Sequence, residues 1–193
     1  MFFESWLPQA FAQFVAAGHP APAQGIRVRA TLAGPDGGTW DLEPRDGALQ
    51  VAPQGKDKPA VWIRQTVADF RSALEGDPDL PEVIPPGWSA LDLLFLDPRD
   101  RELLAQIDGR ALLEINGKRR RRWALDVAFG ATGVEAGRPR ATVRVDGETF
   151  ADVRDGRIPP MQPLLNGKLK LEGDRSLAMQ LLLLLGSRLA RGT

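Results

Sequence analysis

Residues 156–185 read GRIPPMQPLLNGKLKLEGDRSLAMQLLLLL, from Gly156 to Leu185, and the rest of the chain is organised around them. Ile158-Pro159-Pro160-Met161-Gln162-Pro163 opens with a proline pair and leads into a short apolar turn. Asn166-Gly167 is turn chemistry, and Lys168-Leu169-Lys170-Leu171-Glu172 alternates charge with leucine, the period of a half-buried strand. Asp174 suits a helix N-cap, where its carboxylate accepts free amides and faces the positive end of the helix dipole. Arg188 and Arg191 sit at the opposite end, where cations are favoured. Between them, Leu177, Met179 and Leu181 to Leu185 are interrupted only by Gln180, so the helix reads as apolar nearly all round. Such a helix cannot rest one side on a sheet and leave the other in water. The cover is the chain's own core, a partner chain or an apolar ligand. The 12 residues from Ser176 to Ser187 are too few to span a bilayer.

Composition removes several function classes. Apolar residues make up 43% and charged residues 26% of 193, which is the balance of a globular protein. Lys+Arg and Asp+Glu are equal, so the chain lacks the basic excess of a nucleic-acid binder. With no cysteine there are no disulfides, thiolate metal sites or cysteine nucleophiles, and with no tyrosine there is no phenolic acid–base chemistry. The single histidine, His19, lies in the loop sequence His19-Pro20-Ala21-Pro22. Carboxylates are plentiful, but no pair stands out for acid–base work. Gly34-Pro35-Asp36-Gly37-Gly38 lies between two strands and lacks the Gly-Lys-Ser/Thr ending of a phosphate loop. The expectation is a protein that is not an enzyme and carries no cofactor and no metal.

The N-terminal residues lack a basic n-region and Glu4 interrupts them, so a secretory signal is not expected and a cytoplasmic protein is. Residues 2–17 predict one amphipathic helix or two short ones, with Pro8 as a break or an N1 residue. Four aromatics fall among the first eleven residues: Phe2, Phe3, Trp6 and Phe11. They read as core packing or, alternatively, as a lid or a membrane-surface contact. Residues 18–25 are a linker. Strands are expected at 26–33, 39–43, 48–51 and 60–64, then a helix from Val67 to Leu74. Residues 77–90 are acidic and proline-rich, Leu91 to Leu96 are apolar, and a helix follows Asp97-Pro98 to Ile107. The second half predicts strands at 110–116, 123–129 and 140–145, turns at Gly130, Gly133 and Gly137, and a short helix from Glu148 to Val153.

The two halves share one plan. Arg27, Gly34 and Trp40 match Arg110, Gly117 and Trp123 at an offset of 83 residues. Phe70 and Gly76 match Phe150 and Gly156 at 80, with Trp62-Ile63 falling near Val143-Arg144-Val145. Ile84-Pro85-Pro86, Asp100-Arg101 and Leu103 match Ile158-Pro159-Pro160, Asp174-Arg175 and Leu177 at 74. Shrinking offsets are what short loop deletions in a second copy produce, so a tandem repeat is expected. Lys118 and Arg119–Arg122 form a basic run in the second hairpin. It reads as a solvated tip facing the acidic residues of 69–102, or as a dock for anionic lipid headgroups or nucleic-acid phosphate.

The stretch Asn166-Gly167-Lys168-Leu169-Lys170-Leu171-Glu172-Gly173-Asp174, followed by Leu177, Ala178 and Leu182, resembles the C-terminal signature of the sterol carrier protein 2 (SCP2) family. Residues 33–40 and 60–76 are similar to that family's first hairpin and to its fourth strand and following helix. The first half lacks the Gly-Lys signature, since Leu93, Leu94 and Leu96 stand where Gly167, Lys168 and Lys170 do in the second. The expected fold is α+β: SCP2-like antiparallel meander sheets covered by helices, pseudo-duplicated. An N-terminal helix and linker occupy 1–24, the first repeat 25–107 and the second 108–193.

The resemblance implies a carrier for a hydrophobic, lipid-like ligand: fatty acyl, sterol-like or isoprenoid. Phe150, Met161, Leu164, Leu165, Leu169, Met179, Leu182 and Leu183 are the residues expected to line its cavity. Expected partners are a hydrophobic small molecule or lipid, an anionic membrane surface and a second copy in a homodimer, but no nucleic acid. The alternative is an accessory or scaffold subunit of a lipid or isoprenoid biosynthetic system with a filled core, as for SCP2-like modules that assist isoprenoid-quinone synthesis. A cofactor-free enzyme on a lipid-like substrate ranks last.

Overall fold

In the computed structural model, residues 2–18, 25–84, 94–95 and 98–189 are described, without the side chains of residues 98 and 184–189. His19, most of the 18–25 linker, the apolar stretch from residue 91 apart from Leu94 and Phe95, and the cations at 188 and 191 therefore lie outside the description.

A π-helical turn (Phe2–Trp6) leads into α1 (Leu7–Ala16), with Pro8 in the first turn, where its missing amide costs nothing. β1 (Val28–Ala33), β2 (Gly38–Arg45), β3 (Ala48–Pro53), β4 (Val61–Thr66) and α2 (Val67–Glu75) complete the first half, and α3 (Pro98–Ala105) follows. The second half contains β5 (Gly109–Asn116), β6 (Arg122–Phe129), α4 (Gly130–Glu135), β7 (Ala141–Asp146), α5 (Gly147–Arg154), α6 (Met161–Leu165), β8 (Leu169–Gly173) and α7 (Arg175–Leu189).

The α+β class is borne out, and the strands join into one eight-stranded sheet in the order β3-β2-β1-β4-β6-β5-β7-β8. Most pairings are antiparallel, as a meander predicts, but two are parallel: β1 with β4 and β5 with β7. A parallel neighbour needs a crossover rather than a tight turn. The chain makes the first by way of β2 and β3, the second by way of β6 and α4. Antiparallel β4 and β6 form the seam between the halves.

Equivalent bonds recur across the halves. Ala60 donates its amide to the Arg27 carbonyl at 2.9 Å, and Arg140 donates to Arg110 at 2.7 Å. Thr66 caps α2 by accepting the amide of Asp69, and Asp146 caps α5 by accepting that of Thr149. The hairpins differ: Trp40 lies opposite Ala30 but Trp123 lies opposite Ile115, two residues out of step with the offset of 83. A 3-10 turn (Lys118–Arg120) joins β5 to β6 and places Arg119 and Arg120 at φ of 50° and 63°.

Of the three glycines expected as turns, Gly137 lies in a bend, but Gly130 and Gly133 fall inside α4. Asp108, distant in sequence, caps this helix by accepting the amides of Thr132 at 3.0 Å and Gly133 at 3.2 Å. A cap from outside the local sequence is invisible to a local reading. Glycine is needed at 133 because a Cβ there would lie 2.0 Å from the Gly109 carbonyl oxygen.

Strict alternation gives the sheet two unlike faces. One carries Val28, Leu42, Val61, Phe129, Ala111, Val143 and Leu169, and onto it pack Phe3, Leu7 and Phe11 from the N-terminus and Leu177, Ala178 and Leu182 from α7. For the N-terminal aromatics the structure gives core packing of Phe2, Phe3 and Phe11, while Trp6 is 51% exposed. Phe3 stacks on Trp40 at 4.8 Å and on Phe70 at 5.6 Å, and Phe11 stacks on Phe95 at 4.5 Å. A smaller cluster of Ile115, Trp123 and Val145 continues the same face under Phe150, Leu80 and Val83. The opposite face carries ion pairs, among them Arg29–Asp41 at 2.6 Å, Arg110–Asp126 and Arg144–Glu114.

Candidate lipid-facing site

The site is built where β8 hands over to α7. In β8, Leu169 is buried and Leu171 half-buried on the apolar face, while Lys170 and Glu172 point the other way. Arg144 of the neighbouring β7 forms an ion pair with Glu172. Gly173 ends the strand at φ 79°, and a Cβ there would meet the Arg140 carbonyl at 2.2 Å. This close approach lets the Asp174 amide donate to that carbonyl at 2.8 Å. The Asp174 side chain then accepts the Leu177 amide at 3.1 Å, the N-cap expected from the sequence, and accepts from Arg140 Nη2 at 2.5 Å. The Leu177 amide, with the Arg140 guanidinium beside it, holds the Asp174 carboxyl below its ordinary range. Glu172 and Asp174 are thus structural partners of arginines.

Over its described turns α7 is not apolar all round. Leu177, Ala178 and Leu182 are buried, with Met179 and Leu181 half-buried, whereas Arg175, Ser176, Gln180 and Leu183 are exposed. This corrects the all-round reading: the helix rolls so that its few polar residues share the outer side, and Leu183 is the apolar exception, 64% exposed. α6 stands where a turn was expected. Asn166 closes it by donating to the Gln162 carbonyl at 3.1 Å, and its Pro163 is buried.

The expected lining residues fall into three groups. Leu164, Leu169, Met179 and Leu182 come together in the main core beneath α6 and α7. Phe150 packs in the smaller cluster, which Leu113 bridges to the first. Met161 is half-buried, while Leu165 is 83% exposed and Leu183 exposed beside it in type. The sequence reading missed Leu104 and Ile107, which share the core with Leu177. Leu104 belongs to α3, Ile107 follows it, and α3 makes direct contact with α7; the 74-residue correspondence between Leu103 and Leu177 was the one hint of that.

The basic run is largely spent internally. Arg121 meets Asp69 and Asp77, each at 2.9 Å, Arg122 meets Glu114 at 3.1 Å, and Arg119 approaches Asp79 at 3.8 Å. Asp69, Asp77 and Asp79 belong to the acidic segment named as its counter-charge, while Lys118 and Arg120 stay exposed. Among the described residues no group of three His, Asp or Glu side chains could hold a metal ion, and no helix is long and apolar enough to cross a membrane.

An α+β sheet with a polar face and a helix-roofed apolar face defines the class of this molecule. Residues 90–185, which include the β8–α7 signature, match the SCP-2 sterol transfer family, and this part of the chain belongs to it. Among curated proteins, the peroxisomal multifunctional enzyme A of Dictyostelium discoideum is 28% identical over 144 residues, 69% of this chain and 32% of that protein. Hydroxysteroid dehydrogenase-like protein 2 of Xenopus tropicalis is 32% identical over 81 residues, 40% of this chain and 19% of that protein. The chain thus spans a third or less of the length of these relatives. Among solved structures, sterol carrier protein domain 2 of Helicoverpa armigera is 19% identical, covering 48% of this chain and 74% of that one with a TM-score of 0.34. Palmitated SCP2L2 from Aedes aegypti is 20% identical, covering 57% and 81%, with a TM-score of 0.31.

Proposed function

We propose that the chain is a non-catalytic carrier for a hydrophobic, lipid-like molecule: a fatty acyl, sterol-like or isoprenoid compound. The observation that carries this reading is the convergence of Leu164, Leu169, Met179 and Leu182 inside the stretch that matches the sterol transfer family. These four form the floor of the proposed site. Met161, Leu165 and Leu183, half-buried or exposed, form its mouth, and Phe150 borders it from the adjoining cluster. A linear aliphatic ligand suits a lining that contains flexible methionine and no buried charge. The halves at 25–107 and 108–193 are read as tandem copies, a view supported by the recurring caps and inter-strand bonds. A cytoplasmic setting is part of this reading. Native mass spectrometry of the purified protein, with solvent extraction, is expected to find a co-purifying lipid. Repeated absence of lipid together with no binding of a fluorescent fatty acid would overturn the proposal.

A second reading has one observation in its favour. Leu165 and Leu183 are large apolar side chains held in water, which suits an accessory subunit docked on an enzyme or on its own copy. Light scattering separates the two: a stable ligand-free dimer supports docking, and a monomer that binds fatty acid supports the carrier.

A further inference from the structure

A cleft of about 500 Å³ opens at the end of the sheet where the parallel strands β5 and β7 finish. One wall is the segment 78–81, and the other is the turn 116–118 with the start of α5. Small-molecule pockets usually enclose about 300–1,000 Å³, so the space suits a compact ligand. The two walls are fastened together. Lys118 donates its amide to the Asp79 carbonyl at 2.7 Å, Arg121 holds Asp77 at 2.9 Å, and Arg154 donates to the Glu82 carbonyl. The cleft is therefore built by fixed contacts on both sides and opens to solvent.

It sets a free cation against a free carboxylate. Lys118 on one wall and Glu148 on the other are exposed, and among the described residues neither side chain has an ion pair or a hydrogen bond. They line one space without meeting each other. The other carboxylates of the cleft are engaged: Asp79 faces Arg119 at 3.8 Å, and Asp146 accepts the amide and the hydroxyl of Thr149 at 2.9 and 2.8 Å. Pro78, Leu80, Pro81 and Ala151 make the rest of the lining largely apolar. Arg119 and Arg120 follow Lys118 in the turn and are exposed, so the positive charge of that rim favours an oxyanion there.

We propose that this cleft binds a small zwitterion carrying a phosphate and an ammonium on a short carbon chain, the chemistry of a phosphoethanolamine headgroup. The phosphate meets Lys118 and the ammonium meets Glu148, while the carbon chain lies against Leu80 and Ala151. A ligand with both charges joins two groups that the protein leaves apart, whereas a single ion would leave one of them unmatched. Both contacts are charge-assisted hydrogen bonds, the stronger kind. The site does not depend on the carrier reading, since its ligand needs no space beneath α7.

The test is a titration of the full chain with glycerophosphoethanolamine, a soluble zwitterion, following the backbone amides of Gly117 and Gly147 by NMR. Glycerol 3-phosphate and ethanolamine, which each carry one of the two charges, are titrated separately at matched ionic strength. The expected result is a saturating shift with the zwitterion and binding severalfold weaker for either half. Lys118→Gln and Glu148→Gln are each expected to weaken the zwitterion severalfold, and Lys170→Gln, on β8 outside the cleft, to leave it unchanged. Both target residues are exposed, so the variants are expected to keep the wild-type melting temperature. A shift that does not saturate, a half-ligand that binds as well as the whole, or unchanged binding in either variant overturns the proposal. Sedimentation with phosphatidylethanolamine vesicles names the source. Retention lost in both variants assigns a lipid headgroup, binding of the soluble probe alone assigns the free molecule, and either supports the site.

Discussion

Arg140 holds Asp174 twice: its carbonyl accepts the Asp174 amide at 2.8 Å and its Nη2 donates to the Asp174 carboxylate at 2.5 Å. This pair fastens the start of α7 to the edge of β7. Asp174→Ala removes both the cap and the ion pair, and loss of a carboxylate cap destabilises the helix it opens. The expected outcome is a lower urea midpoint with an unchanged slope.

The same carboxylate sets a pH dependence. Its folded pKa is depressed, first by the Leu177 amide, so its stabilisation is complete above the ordinary aspartate value of about 3.9 and is lost as pH falls from there through the lower folded value. The stability gap between wild type and Asp174→Ala is therefore expected to be constant near neutrality and to close on acidification below that range. Urea unfolding of both proteins across a pH series measures it. A gap that widens towards acid would contradict the assignment.

Leucines of α7 are expected to part company by position. Leu177 is 3% exposed, and Leu177→Ala is expected to cost about 2–5 kcal/mol, the range for emptying a packed core site. Leu183 is 64% exposed, and Leu183→Ala is expected to change stability by less than about 0.5 kcal/mol. Equal effects would mean that the exposed leucine is covered in solution, and light scattering of the wild type would then identify a second copy as the cover.

Gly133→Ala tests the contact that lets α4 lie against β5. The added methyl meets the Gly109 carbonyl carbon at 2.5 Å as well as its oxygen, backbone that cannot swing aside. A loss of about 1–3 kcal/mol is expected, as for an overpacked core. Gly137→Ala, with nothing within 4 Å of the added carbon, serves as the control and is expected to be tolerated.

Trp123 is 5% exposed and donates its indole N–H to the Asp69 carbonyl at 2.9 Å, linking β6 to α2 across the halves. Trp123→Phe keeps most of the apolar bulk and removes the bond, at an expected cost of about 1 kcal/mol. Thermal melts read the difference, and hydrogen exchange over α2 is expected to speed up in the variant.

The sequence by itself determined nearly every strand, because alternation such as Val28, Ala30 and Leu32 against Arg29 and Thr31 follows from burying one face only. It also determined the cap at Asp174, where a short side chain meets the free amides of the helix it opens, and it paired the basic run with the acidic segment that holds it. Tertiary structure alone decided how the strands assemble. The crossover that sets β4 beside β1, and the seam of β4 with β6, depend on contacts distant in sequence that no local period encodes. Tertiary structure decided α4 as well, since the carboxylate that caps it comes from Asp108. It also turned α7 so that Leu182 is buried and Leu183 is in water, a choice that adjacent identical side chains cannot express and only a facing surface can make.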